Sequence, residues 1–179
     1  MSRRSQLLDA MHRRTFVRIS RRFEESVVRG YISGVGPRFF LLTLVSDRLR
    51  FDGFECFRIA DLMSLEEDPY ASFAEAALKT RGDRRPRKPR IILESIEELL
   101  LSSSRAFPLV TIHQEKLDPE VCHIGRVVGI SRGRVSLLEI TPDAEWESKP
   151  DLYAVKDITR VNFGGDYEDA LYAVGGNAG

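Results

Sequence analysis

The chain has 179 residues, 42% hydrophobic and 30% charged, with a formal net charge of zero, and these are the proportions of an ordinary globular protein. No apolar run approaches the roughly 20 residues needed to cross a bilayer, and Arg3 and Arg4 are not followed by the apolar core of a secretory signal. Two cysteines, Cys56 and Cys122, cannot build a disulfide framework, so a reduced cytoplasm is the expected compartment.

In chain order, residues 3–12 suit a short helix with Leu7, Leu8 and Met11 on one face. Thr15 to Ser20 alternates like a strand, with Val17 and Ile19 on one side, and Val27 to Ile32 is a second strand carrying Gly30. Gly34-Val35-Gly36-Pro37 reads as a turn, and Phe39 to Val45 as a strand buried on both faces. Asp52-Gly53 reads as a tight hairpin turn, followed by strands Phe54–Ile59 and Leu62–Leu65. Asp68-Pro69 opens a closing helix whose apolar stripe is Tyr70, Phe73, Ala74, Ala77 and Leu78.

Residues 79–90, with Gly82, Pro86 and Pro89, read as a basic linker that cannot hold a continuous helix. Ser95-Ile96-Glu97-Glu98 is a capping box that starts a helix. Strands are then expected at Leu109–His113, His123–Val128 and Arg134–Ile140, with Ser131-Arg132-Gly133 as a turn.

This order repeats because the sequence repeats. Phe57-Arg58-Ile59-Ala60-Asp61-Leu62-Met63-Ser64-Leu65 and Tyr153-Ala154-Val155-Lys156-Asp157-Ile158-Thr159-Arg160-Val161 share one pattern, 96 positions apart. Arg38–Leu65 aligns with Arg134–Val161 without a gap, and Gly125 matches Gly30. The expectation is a mainly β protein with peripheral helices, made of two tandem small barrels, each with a leading and a closing helix. The first unit spans residues 1–78, the linker 79–90 and the second unit 91–179.

The strand pair Ile124-Gly125-Arg126-Val127-Val128-Gly129-Ile130 and Val135-Ser136-Leu137-Leu138 resembles the glycine-centred pair of the Sm-like, SH3-like barrel, and Val28-Arg29-Gly30-Tyr31-Ile32 is similar. The resemblance covers about 50 residues of each half and implies that fold. The Asp-x-x-x-Asn loop and the Ile-Arg-Gly turn of RNA-binding Sm proteins are absent: the turns read Gly34-Val35-Gly36-Pro37 and Ser131-Arg132-Gly133, then Ala60-Asp61 and Lys156-Asp157. The family's RNA-binding residues therefore do not carry over.

Charge is segregated although the total cancels. Residues 1–22 hold seven arginines against Asp9, and residues 79–90 hold seven basic residues against Asp83, which leaves a net charge of −12 on the rest. Such arms either lie on the protein's own acidic surface, the preferred reading, or contact phosphates. The excess of arginine over lysine, 22 to 5, is what a GC-rich bacterial genome produces, and carries no functional weight.

The candidates for chemistry are few. Asp61 and Asp157 occupy equivalent positions and are expected to end strands in turns rather than to act as paired carboxylates. Cys122, His123, His113 and Glu115 lack the paired ligand spacing of a zinc site, and Cys122 and His123, as strand neighbours, point to opposite faces. No metal and no cofactor is expected. Tyr70 and Tyr167 are expected to anchor their helices. Trp146, in the polar loop Thr141–Asp151, is either a contact residue or buried against the other barrel.

The first expectation is thus a non-catalytic binding or scaffolding protein whose partner the sequence does not name. The second is an RNA- or DNA-binding module that uses the arginine-rich N-terminus and the linker, with Arg84, Arg85, Arg87, Lys88 and Arg90 leading. A third, an enzyme at the interface between barrels, would need Asp61 or Asp157 in a deep pocket.

Overall fold

The computed structural model describes residues 1–179. The elements run α1 (Arg3–Arg13), β1 (Phe16–Arg21), β2 (Val28–Val35), β3 (Phe39–Val45), β4 (Phe51–Arg58), the 3-10 turn Ile59–Asp61, β5 (Leu62–Glu67) and α2 (Ala71–Thr80). The second half repeats them as α3 (Ile96–Ala106), β6 (Val110–His113), β7 (Cys122–Ser131), β8 (Arg134–Glu139), β9 (Asp151–Ala154), the 3-10 turn Val155–Asp157, β10 (Arg160–Phe163) and α4 (Asp166–Gly175). No helix is long and apolar enough to cross a membrane.

The strands form one antiparallel sheet of ten, in the order β5-β1-β2-β3-β4-β10-β6-β7-β8-β9. Each half contributes five neighbouring strands in the same internal order. Neither half closes on itself, so two closed barrels give way to one open sheet. The reason lies in β4, whose residues Gly53 to Phe57 are all buried. A strand covered on both faces also needs both edges paired, and β10 fills the edge that β3 leaves open.

The facing strand comes closest at two equivalent glycines. A Cβ on Gly30 would stand 2.1 Å from the Thr43 carbonyl oxygen, and one on Gly125 would stand 2.1 Å from that of Leu138. Only a residue without a side chain lets the facing strand approach this closely. The turn at Arg132-Gly133 has φ of 51° and 71°, the pair of positive values that a two-residue hairpin loop requires.

Asp52-Gly53 is not the expected hairpin turn. The chain reverses earlier, where Ser46 N–H donates to Arg50 and Leu49 takes a φ of 55°. Gly53 instead serves a close approach between the halves, because a Cβ there would stand 2.5 Å from the backbone of Gly164.

Helix starts follow local chemistry. Ser2 Oγ caps α1 by accepting from Ser5 N–H, and Ser95 Oγ caps α3 by accepting from Glu98 N–H at 3.1 Å. Asp68 Oδ1 accepts from Tyr70 N–H while its Oδ2 takes Arg29, so α2 begins two residues beyond Pro69.

The α2 stripe is narrower than expected. Ala74 and Leu78 pack on Phe16, Tyr31 and Val45, whereas Tyr70 and Phe73 stay exposed. The α1 face is carried by Leu7 and Ala10, packed on Val17, Ile19, Phe40 and Leu42. The largest core cluster, 16 residues, joins the halves: Phe39, Leu41, Phe54 and Cys56 pack with Val110, Ile112, Val135, Val161 and Phe163 among others.

Candidate functional site

The two halves meet along the β4·β10 ladder, where Phe57 faces Arg160 and Glu55 faces Asn162. Strand alternation puts Glu55 and Phe57 on one face, and a charge network is built around them. Arg160 donates through Nη2 to Glu55 Oε1 at 2.5 Å and through Nη1 to Glu24 Oε1 at 2.9 Å. Arg21, buried at 1% exposure, donates to Glu24 Oε2 at 2.7 Å and forks onto Glu115 at 3.2 and 2.8 Å. Both guanidinium groups lie over the Phe57 ring, at 4.0 and 5.4 Å from its centroid.

Thr159 Oγ1 completes the network with a 2.6 Å bond to Glu115 Oε2. Burial pushes the Glu55 carboxyl up and the facing Arg160 charge opposes it, leaving it above the usual range. Burial also pushes Glu115 up, but the Arg21 fork and the Thr159 hydroxyl outweigh it, so this carboxyl lies below the usual range.

Beside this network a groove of about 640 Å³ opens between the halves. The β2–β3 turn lines it with Pro37 and Arg38, and the first 3-10 turn and its approach with Arg58 to Asp61. Val155, Lys156 and Ile158 come from the equivalent turn of the second half, and Arg22, Lys116 and Ile96 from the adjoining segments. The repeat places two copies of one motif around a single opening.

Five of these residues are cationic and one is acidic. That acid, Asp61, is buried at 2% exposure and neutralised by Arg58 Nε at 2.5 Å. Arg22, Arg38, Lys116 and Lys156 make no ion pair, so the groove has a positive rim over a partly apolar floor of Phe39, Ile59, Val155 and Ile158. The N-terminal arm adds to it: Arg3 donates to the Ala60 carbonyl and Arg4 to that of Gly36.

The linker cations are divided. Arg85 lies 4.4 Å over the Tyr31 ring and donates to Ser33 Oγ at 3.0 Å. Lys88 Nζ runs along Gly34, while Arg90 lines a cavity between the linker and α3 with Arg105 and Phe107. Arg84 and Arg87 are exposed on the linker and make no ion pair. The structure does not bring the five into one cluster.

Trp146 is half-buried, packs on Leu109, Ile140 and Leu171, and donates its indole N–H to the Gly176 carbonyl at 3.1 Å. It ties the Thr141–Asp151 loop to the C-terminal end of α4. Asp157, in the second 3-10 turn, has Ala154 where Asp61 has Arg58, and makes no ion pair.

Glu115 belongs to the Arg21 fork, and no three His, Cys, Asp or Glu side chains converge as metal ligands. His123 and Tyr153 pair with Glu139 across β7, β8 and β9. Tyr70 and Tyr167, expected as anchors, are exposed at 69% and 56%.

Arg38, Lys116 and Lys156 escape sequence reasoning as groove residues because they are scattered singly, whereas Arg22 belongs to the arginine-rich N-terminal segment. Comparison with protein-family models, with curated proteins and with solved structures finds no match.

Proposed function

We propose that the protein is a non-catalytic binding module, two fused copies of one small β unit, and that its ligand is a single-stranded nucleic acid, RNA or DNA. The observation that carries this reading is the groove between the halves, with five cations against one internally neutralised carboxylate. Unpaired cations around an opening attract the phosphates of a chain, and an apolar floor suits the face of a base. Arg84 and Arg87 extend the positive surface as secondary contacts, whereas Arg85 is already engaged by Tyr31 and Ser33.

The test is fluorescence anisotropy with labelled mixed-sequence RNA and DNA at low and near-physiological salt. Binding is expected to weaken steeply with salt, and Arg38→Ala and Lys156→Ala should each lower the salt slope by about 1. Neutralising Arg84 and Arg87 should do less. Absence of binding at low salt, or binding lost only on neutralising the linker, overturns the assignment to the groove.

A further inference from the structure

A second cavity opens at the seam. It measures about 220 Å³ and is walled by β3, β4, β10, β6, β7 and the start of α4. That is room for about seven waters at ~30 Å³ each, and less than the ~300–1,000 Å³ of a drug-sized site.

Its lining has the opposite chemistry to the groove. Asp52, Glu55 and Glu168 supply three carboxylates, and no lysine or arginine lines it. His113 is neutral at physiological pH, because burial, aided by the Arg160 charge, lowers its pKa to about 3. The α4 N-terminus offsets Asp52 alone, whose Oδ1 accepts from Asp166 N–H at 2.8 Å, and its first turn itself carries three acidic residues.

One oxygen of each carboxylate is engaged. Glu168 Oε1 accepts from Thr111 at 2.7 Å, and Glu55 Oε1 from Arg160 at 2.5 Å and Asn162 at 3.2 Å. Glu55 is buried at 4% exposure, and its Oε2 has no hydrogen-bond partner; His113 Nε2 is buried and equally unpartnered. An unpaired carboxylate oxygen in a buried wall marks the place of a missing donor.

A bare metal ion does not meet this need, since no three ligating side chains converge. Leu44, Phe54 and Ile124 complete the wall with apolar surface. We propose that this cavity binds a small organic ammonium ion, its head group donating to Glu55 Oε2 and its short hydrocarbon body resting on Leu44, Phe54 and Ile124. The proposal is independent of nucleic-acid binding in the cationic groove.

The test is titration of the full chain with n-butylammonium chloride, followed by amide chemical shifts, with n-butanol, sodium butyrate and magnesium chloride as parallel probes. Saturable shifts at the amides of Thr111, Asn162 and Glu168 with the ammonium alone are expected. Glu55→Gln should weaken binding about tenfold. Glu168→Gln, which keeps an acceptor for Thr111 and leaves the Arg160 pair intact, should weaken it severalfold. The proposal falls if butanol or butyrate binds equally well, if magnesium displaces the amine, if no saturable shift occurs by about 50 mM, or if both folded variants bind as the parent does.

Discussion

Arg160 and Glu55 lie 105 residues apart in the chain and 2.5 Å apart in the fold, on facing strands of the two halves. The pair sits where the ten-stranded sheet is joined, with side-chain exposures of 17% and 6%. In the alignment of the halves these positions correspond to Ser64 and Asp151, on the outer strands β5 and β9. The pair is therefore specific to the joint and is not repeated at the free edges.

Removing one partner leaves the other charge buried alone. Arg160→Met should destabilise by about 3–5 kcal/mol in denaturant unfolding, and Arg160→Met with Glu55→Gln should recover a large part of that loss. Equal losses in the single and double variants would show that the loss does not come from an abandoned charge.

The two glycines under a facing carbonyl should be intolerant and a third tolerant. Gly30→Ala and Gly125→Ala each place a Cβ against a carbonyl oxygen and should cost at least about 1–3 kcal/mol. Gly129 has nothing within 4 Å of its Cβ position, so Gly129→Ala should stay within about 0.5 kcal/mol. Thermal unfolding of the three variants checks the contrast.

Leu42 and Leu138 align in the repeat but are not equally buried. Leu42 is at 0% exposure, whereas Leu138 is half-buried and its neighbour Leu137 is at 0%. Leu42→Ala and Leu137→Ala should each cost about 2–5 kcal/mol, and Leu138→Ala clearly less, in chemical denaturation. A Leu138→Ala loss matching that of Leu137→Ala would contradict the facing of β8.

His113 should make the fold acid-sensitive. Its pKa is about 3 in the folded chain, held down by burial first and the Arg160 charge second, against about 6.5 when unfolded. Above pH 6.5 both states hold it neutral and it adds no pH dependence. As pH falls from about 6.5 toward 3, the unfolded state takes up a proton the folded state refuses, and stability is lost at up to about 1.4 kcal/mol per pH unit.

Glu115, held low, adds a loss of the same sign, but only once pH falls through the ordinary carboxylate range. His113→Gln should therefore flatten the stability profile between pH 6.5 and about 5. An unchanged slope there would show that His113 is protonated in the folded protein.

Local chemistry was legible because its causes are local. The Phe39–Val45 strand, the Ser95 cap and the Arg132-Gly133 turn follow from a few adjacent residues. The repeated order of elements follows from the repeated pattern, and Gly125 matches Gly30 in equivalent strands. Asp52-Gly53 misled because a glycine with positive φ serves a turn or a close approach equally well, and the Gly164 backbone that decides between them is over 100 residues away.

The sequence by itself determined a β-rich chain built twice on one plan, with helices at the unit ends and cations gathered into two segments. Only the tertiary structure decided that the units share an open sheet, that Arg21 is buried and Arg160 half-buried at the joint, and that Arg22, Arg38, Lys116 and Lys156 surround one groove. Periodicity and capping act between near neighbours and are written in the order of residues. Strand pairing, charge burial and the convergence of scattered cations depend on which distant segments meet, and the packing of the two halves fixes that.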